Sequence, residues 1–493
     1  MGIVQRQGIQ NTILSYAGVL LGMVNKLILF NAWLTKGQFG LIELLATFMV
    51  VGSELSQLGV TKIIARFFPY FHKHPVREGS FVFFVLGYTL GGYLLLVMFL
   101  EVFRGPIMGL YAENAPLFSG AYGYILPITL SYTLYRVLGT LSQSLLKSVI
   151  PNLTFHVVLR LAHMGLILLY HFEWLSLDVF LSAFVWSHFI PGLIVLTYLL
   201  WLRKPRLRVD WRIFRSRPAM LMYRYGLYSS LGEMALILIG KVDLVMLGWM
   251  VGEASAGTYA IAFYIASLIQ IPGRALGAIT HPLVAGHLKN NRLAEIQVLY
   301  QKSSINGLVA CCWVLIGLWV NLGFLFELTP KHADGYWSAI LLGISALLNV
   351  GTGINRSIII NSRYFRFDLW ANIGLLVVAV GSNLLLIPRM GITGAAVATT
   401  VSIGLYNLAC SLFVWARLRM QPFTWQTLGL LGITAVVLGV GMIIPPAENP
   451  LISIILRSVV VTALYVPAVL IFRLSSDISG AAENIWSRLR RQR

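Results

Sequence analysis

Charge is scarce in this chain. Of its 493 residues only 11% are Asp, Glu, Lys or Arg, against 58% hydrophobic, and the mean hydropathy is +0.79. A soluble domain carries roughly a quarter charged residues. A chain this apolar cannot cover its own surface in water, so the bilayer is its solvent. Acidic residues are scarcer still, 18 against 37 Lys and Arg. The resulting charge of +19 would suggest nucleic acid if it formed one solvated patch. The basic residues instead sit in short runs between apolar segments, the pattern of membrane proteins, and no nucleic-acid partner is implied. Cysteine is nearly absent: Cys311, Cys312 and Cys410 all lie inside apolar runs. That excludes a disulfide framework and zinc spacing, and leaves them as small apolar fillers. There is no G-x-x-x-x-G-K-[ST] loop, no H-E-x-x-H and no G-x-S-x-G. The chain therefore burns no ATP itself, and no cofactor is implied.

What is present is a series of apolar stretches of spanning length. They fall roughly at 9–34, 41–66, 80–102, 120–143, 153–172, 176–202, 221–249, 257–283, 299–325, 336–360, 369–388, 391–416, 424–445 and 450–472. The expected fold is an all-α integral membrane protein with about fourteen transmembrane helices. The weakest divisions are the break near Arg389 and the last pair, split by PPAENP. No small-residue cleavage site follows a short apolar core at the N-terminus, so the first helix is expected to be retained.

Basic residues orient the spans. With the N-terminus inside, the cytoplasmic segments hold Arg6, Lys73, Arg77, Lys147, the run Arg203 to Arg217, Lys289, Arg292, Arg363, Arg366, Arg417, Arg419 and the tail arginines. The opposite loops hold Lys36, Arg104, Lys331 and Arg389, a split of roughly 25 to 4. A wrong helix count would scramble the bias midway, so it supports an even number and two cytoplasmic termini. The longest loop, about 204–220, lies near mid-chain and is expected to join two halves. Its arginines with Trp211 and Phe214 suit an interfacial segment on anionic lipid. The tail sets Ile478, Ile485, Trp486 and Leu489 near one helical face, an amphipathic surface helix or a disordered basic tail.

The halves are weakly self-similar. Laying the first helix on the seventh pairs Gly8 with Gly226 and Gly22 with Gly240, and one deletion later Gly40 with Gly257. Six helices per half is even, so the repeats would be related by an axis along the membrane normal, with the site between them. The expected divisions are 1–203, a linker 204–220, 221–418, an added helix pair 419–472 and a tail 473–493. Asn11, Ser15, Gly18, Gly22 and Asn25 form a small-polar stripe on the first helix, and Gly226, Ser230, Glu233 and Gly240 a comparable one on the seventh. Such stripes face other helices or a cavity, not lipid.

Charges inside spans cost several kcal/mol or more, so each needs a reason. Glu54 and Glu233 lie near mid-span, with Lys26, Lys241 and Asp243 in outer halves and Arg136, Arg160, Arg274 and Arg356 in inner halves. Four arginines at similar depth suit an anionic group entering from the inner leaflet, or snorkel to headgroups. Arg274 stands out because Pro272 and Gly273 loosen the backbone before it. Glu54, Glu233 and Asp243 are candidates for proton or sodium coupling, or for structural ion pairs with Lys26 or Lys241. His163 and His281 read as interfacial or hydrogen-bonded rather than as ligands.

The segments GIVQRQGIQNTILSYAGVLLG, LTKGQFGLIELL, LGVTKIIARFFPYF, GEASAGTYAIAFY and GITGAAVATTVSIG, in that order, resemble the bacterial polysaccharide-biosynthesis membrane proteins. These are the oligosaccharide flippases of the multidrug/oligosaccharidyl-lipid/polysaccharide exporter superfamily. The resemblance implies two six-helix lobes around a central cavity, plus a C-terminal helix pair. It implies movement of undecaprenyl-diphosphate-linked oligosaccharide from the inner to the outer leaflet of the bacterial cytoplasmic membrane. The diphosphate would be held by basic cavity residues, for which Lys26, Arg136, Arg160, Lys241, Arg274 and Arg356 are the candidates. One departure is that TKGQFG stands where the family often has proline in the first inter-helix turn. Two other readings compete. A cation-coupled drug exporter of the same superfamily would want a carboxylate-rich, arginine-poor cavity. A membrane polysaccharide polymerase or ligase would want a large outside loop, and the longest here, about 103–119, holds no convincing catalytic set.

Overall fold

The computed structural model describes residues 3–72, 75–202, 210–445, 449–480 and 483, and all regular structure among them is helical. In chain order the main helices are α1 (Ile3–Met23), α2 (Lys36–Gln57), α3 (Val60–Phe71), α4 (Pro75–Val102), α5 (Ile125–Ser144), α6 (Leu159–His171), α7 (Leu177–Ser187), α8 (Phe189–Trp201) and α9 (Arg217–Ile239). They continue as α10 (Val242–Met250), α11 (Glu253–Ile269), α12 (Ile271–Lys289), α13 (Leu293–Val320), α14 (Tyr336–Gly351), α15 (Asn355–Asn361), α16 (Phe365–Leu418), α17 (Trp425–Ile443) and α18 (Pro450–Ile471).

Each of the fourteen apolar stretches falls on helix, but several are broken. Among the described residues, ten helices are long and apolar enough to cross a membrane, and an eleventh span is the bent pair α11–α12. The difference from fourteen has three physical sources. The 54 residues of α16 are two helices joined end to end at a kink at Gly391, where φ is 56° and ψ −132°. It therefore carries two of the expected stretches, divided where Arg389 marked a break. α5 falls short because it holds Arg136 with several Tyr, Ser and Thr, and α9 because it holds Arg217, Arg224 and Glu233 with several Tyr and Ser.

Local chemistry explains the helix ends. α2 begins at a capping box: the Gln38 amide donates to Thr35 Oγ1 at 3.2 Å, and the Thr35 amide donates to Gln38 Oε1 at 2.9 Å. TKGQ thus starts the helix without proline. α2 ends at Leu58 (φ 47°) and Gly59 (φ 78°), a left-handed pair that breaks the 41–66 stretch before α3. α11 and α12 meet at 51°, with Pro272 in the first turn of α12. Pro supplies no amide donor and its ring fixes φ, which suits a helix start after a bend.

By internal contacts the chain divides into two compact units, 1–257 and 258–493. In the first, α2 packs on α4, α5, α9 and α10, and α5 packs on α8. Its main core joins Phe68, Phe81, Phe84, Val137 and Met222. In the second, α13 packs on α12, α14, α17 and α18, and α14 lies along α16. Ile316, Val437, Val461 and Tyr465 knit α13 to α17 and α18. Tyr465 donates to the Val309 carbonyl at 2.9 Å, and Arg457 donates to the carbonyls of Val320 (3.0 Å) and Ile444 (2.8 Å). An arginine within a span is tolerated when backbone carbonyls satisfy its donors. Residues 203–209 of the basic linker, Lys73, and Ile485, Trp486 and Leu489 of the tail lie outside the described residues. The tail is tied down at its start, where Lys302 Nζ meets Asp477 at 2.6 Å and Asn306 donates to it at 2.9 Å.

Candidate functional site

Three charged clusters account for most of the ionisable residues singled out from the sequence. The first lies in the first unit and is built by two π-helical turns, Val24–Phe30 after α1 and Thr154–Val158 before α6. A π turn widens the helix by one residue and recurs at functional sites. Here it sets Asn25 and Lys26 against Arg160. Asn25 Nδ2 donates to the Arg160 carbonyl at 2.7 Å, and Lys26 pairs with Glu43 of α2 at 2.7 Å. Lys26, Arg160, His163 and His188 line a cavity of about 120 Å³. Lys241 lies within electrostatic reach of Lys26 and Glu43. The small-residue stripe of α1 serves this packing: Asn11 donates to Ser148 at 2.7 Å, Gly18 abuts His156, and the Arg160 guanidinium fills the place a Cβ of Gly22 would take. His163 is hydrogen-bonded to Ser187 at 3.1 Å and stacks on Phe184.

The second cluster joins α2, α3, α5 and α9. Glu54 is 1% exposed, and Arg136 Nη2 stands 3.5 Å from it. Glu233 pairs with Lys62 at 2.6 Å. The expected structural partners, Lys26 and Lys241, are thus not the ones used by Glu54 and Glu233. Helix register puts Lys62, eight residues past Glu54 and beyond the Leu58–Gly59 break, opposite α9. Neither Glu54 oxygen has a hydrogen-bond partner, and Glu54 and Glu233 lie within electrostatic reach of one another. Asp243 is buried at the start of α10, apart from this pair in sequence and element.

The third cluster lies in the second unit. A cavity of about 470 Å³ is lined by Arg274, His281 and Arg356 together with Asn349, Asn355 and Asn407. The α11–α12 bend presents Arg274, which is exposed and donates to the Ser267 carbonyl at 3.1 Å. Arg356 is held by Asp368 of α16 through Nε (2.9 Å) and Nη2 (3.4 Å). Asn407 accepts from Thr352 at 2.8 Å and donates to Asn349 at 3.4 Å, so the amide wall is itself hydrogen-bonded. Arg274 and Arg356 share one lining. Arg136 and Arg160 sit in separate clusters of the first unit, so the four arginines do not line one cavity within either unit.

Several residues were not singled out from the sequence. Glu43 and Lys62 are charges inside the 41–66 stretch, and a complete tally of charges within spans would have found them. Asp368 lies at the start of a helix, where a carboxylate is ordinary. Asn349, Asn355 and Asn407 carry no sequence signal of their own. Among the described residues no group of three or more His, Cys, Asp or Glu is placed to hold a metal ion.

No protein-family model and no curated protein sequence matches the chain. Solved structures do. The lipid II flippase MurJ in an inward closed conformation aligns with a TM-score of 0.69 at 13% identity, over 94% of this chain and 98% of that one. An inward-facing multidrug resistance MATE family transporter of the MOP superfamily aligns with a TM-score of 0.57 at 14% identity, over 85% and 98%. An outward-facing MATE family transporter aligns at 0.55 and 13%, over 83% and 95%. These matched proteins are transporters, not enzymes, and together with the helices of spanning length they identify this chain as a multi-pass membrane protein with the fold of the MOP superfamily.

Proposed function

We propose that this chain is a flippase for undecaprenyl-diphosphate-linked oligosaccharide, an O-antigen, capsule or exopolysaccharide unit. It works by alternating access in the bacterial cytoplasmic membrane, with both termini cytoplasmic. The observation that carries this reading is the second-unit cavity, where Arg274 and Arg356 share a lining with three asparagines. Guanidinium forks match phosphate oxygens in geometry and charge. Side-chain amides offer both donors and acceptors, which suits sugar hydroxyls. In this reading the arginines neutralise the diphosphate, the sugar stays in the wet cavity, and the polyprenyl chain remains in the bilayer. Lys26, Arg136, Arg160 and Lys241 of the first unit are further candidates for holding the diphosphate. Proton or sodium coupling acts through Glu54, Glu233 or Asp243. For the proton, the Glu54–Glu233 pair is the favoured place, because a buried carboxyl beside a second carboxyl holds its charge at a cost.

That same carboxyl pair favours a second reading, a cation-coupled drug exporter. Flipping of a fluorescent undecaprenyl-diphosphate oligosaccharide in proteoliposomes separates the two, comparing wild type with Arg274→Ala and Arg136→Ala. The flippase reading expects transport by the wild type and its loss in Arg274→Ala, with folding intact. Transport untouched by both changes would return the arginines to snorkelling. No transport by the wild type under an imposed ion gradient would favour the exporter.

A further inference from the structure

The described part of the basic linker is fastened to the outside of α4. Asp210 accepts from Ser80 at 3.1 Å and from the Arg212 amide at 3.1 Å, which starts the 3₁₀ turn Trp211–Arg215. Ile213 is buried, and Phe214 enters the space left by Gly87, where a Cβ would meet its ring. Phe83 packs edge-on against Trp211 at 5.0 Å and Phe214 at 5.7 Å. With the apolar side of the turn so anchored, Arg212 and Arg215 are left exposed. Among the described residues neither guanidinium has a hydrogen-bond or ion-pair partner.

Below them runs a groove of about 660 Å³ whose floor is Gly87, Leu90, Gly91 and Leu94 of α4. The spacing i, i+3, i+4, i+7 puts these four on one helix face. Leu90 and Leu94 are each 55% exposed, and nothing stands within 4 Å of where a Gly91 Cβ would be. The groove therefore has an open apolar floor on a spanning helix, roofed by Trp211 and two unpartnered cations. Further basic residues, Arg203, Lys204, Arg206 and Arg208, adjoin it in sequence.

We propose that this groove is a binding site for one anionic phospholipid, with its phosphate between Arg212 and Arg215 and one acyl chain laid over Gly91. The charge of the roof requires an anionic headgroup. The floor requires an acyl chain, because it continues the lipid-exposed face of α4. This site is independent of what the chain transports. It gives the linker a fixed anchor on the membrane surface, and so a means by which lipid composition acts on the segment leading into α9.

Trp211 reports occupancy directly. Phosphatidylglycerol brominated in its acyl chains near the glycerol quenches a tryptophan that it touches. The Trp211 contribution is the difference between the wild type and Trp211→Phe, since the chain has 13 tryptophans. In mixed micelles, phosphatidylglycerol should quench Trp211 at roughly thirtyfold lower mole fraction than brominated phosphatidylcholine, the effect of two basic residues near the headgroup. Arg212→Gln with Arg215→Gln should erase that preference. Both residues are exposed and unpartnered, so the fold is expected to survive. Gly91→Leu should weaken quenching by both lipids. Equal curves for the two lipids in the wild type would overturn the proposal. So would a preference that outlasts the double change, or quenching untouched by Gly91→Leu, which would mean diffuse charge rather than a groove. Displacement by soluble glycerol phosphate alone would also overturn it, because then the acyl chain contributes nothing.

Discussion

Alanine at position 40 has nowhere to put its methyl group. A Cβ there would strike the carbonyl oxygen of Glu253 and stand 3.2 Å from the Gly257 nitrogen, and a Cβ on Gly257 would stand 2.9 Å from the Gly40 nitrogen. Both neighbours are backbone, so no side chain can rotate aside. The first turns of α2 and α11 would have to separate. Overpacking of this kind costs about 1–3 kcal/mol. At 1.4 kcal/mol per tenfold, the arrangement described would be disfavoured about 5- to 150-fold against one in which these helix ends part. Thermal unfolding of purified Gly40→Ala in detergent should fall by several degrees. Gly317→Ala is the control: it lies in the last turn of α13 with nothing within 4 Å of its Cβ. Alanine there should be neutral or stabilising, by about 0.5–1 kcal/mol from helix propensity. A Gly40→Ala protein that melts with the wild type, while Gly317→Ala behaves as described, would refute backbone contact between α2 and α11.

Other outcomes follow from the ion pairs. Lys62→Met removes the 2.6 Å partner of Glu233 and should destabilise by about 1 kcal/mol or less, since Lys62 is 44% exposed; adding Glu233→Gln should recover most of the loss in a double-mutant melting comparison. Asp368→Asn frees Arg356 from its carboxylate and should lower oligosaccharide flipping several-fold while shifting the melting temperature little, as expected for a partly exposed pair. Lys302 and Asn306 hydrogen-bond the Asp477 carboxylate and hold its pKa below the usual aspartate range. A depressed folded pKa contributes stability above the ordinary value and loses it as pH falls through the folded one. Tail docking on α13 should therefore persist at neutral pH and loosen below about pH 4, which amide exchange at 475–480 would detect; Asp477→Asn should weaken docking at neutral pH and abolish that dependence.

Much of the fold was legible because an apolar run of spanning length can hardly fold as anything but a membrane helix. The turn at Gly391 and the bend at Pro272–Gly273 were visible as well, because both residue types act through backbone conformation within a few positions. Pairing was less accessible. Glu54 finds Arg136, and Glu233 finds Lys62, because α5 and α3 approach them in space. Nothing within either sequence segment encodes that approach. The close approach of Gly40 to Gly257 was not legible, since a sequence alignment of two segments does not say that they touch. The amide wall of Asn349, Asn355 and Asn407 was invisible, because isolated asparagines in apolar helices are read equally as packing or as lining. The two π turns were invisible too, since no residue type demands them.

Those two turns carry a consequence for how the chain can change by insertion and deletion. A π turn holds one residue more than the α-helix it interrupts. Removing a single residue from Val24–Phe30 would restore ordinary winding and leave the facing of α1 nearly unchanged, because the turn carries that residue as a local bulge. The same loss from the ordinary helical part of α1, just after Gly22, would swing everything before it by about 100°. Asn11, Gly18 and Gly22 would then rotate off Ser148, His156 and Arg160, leaving a guanidinium without its notch. The π turn is therefore the place where the N-terminal helix can lose a residue and keep its contacts.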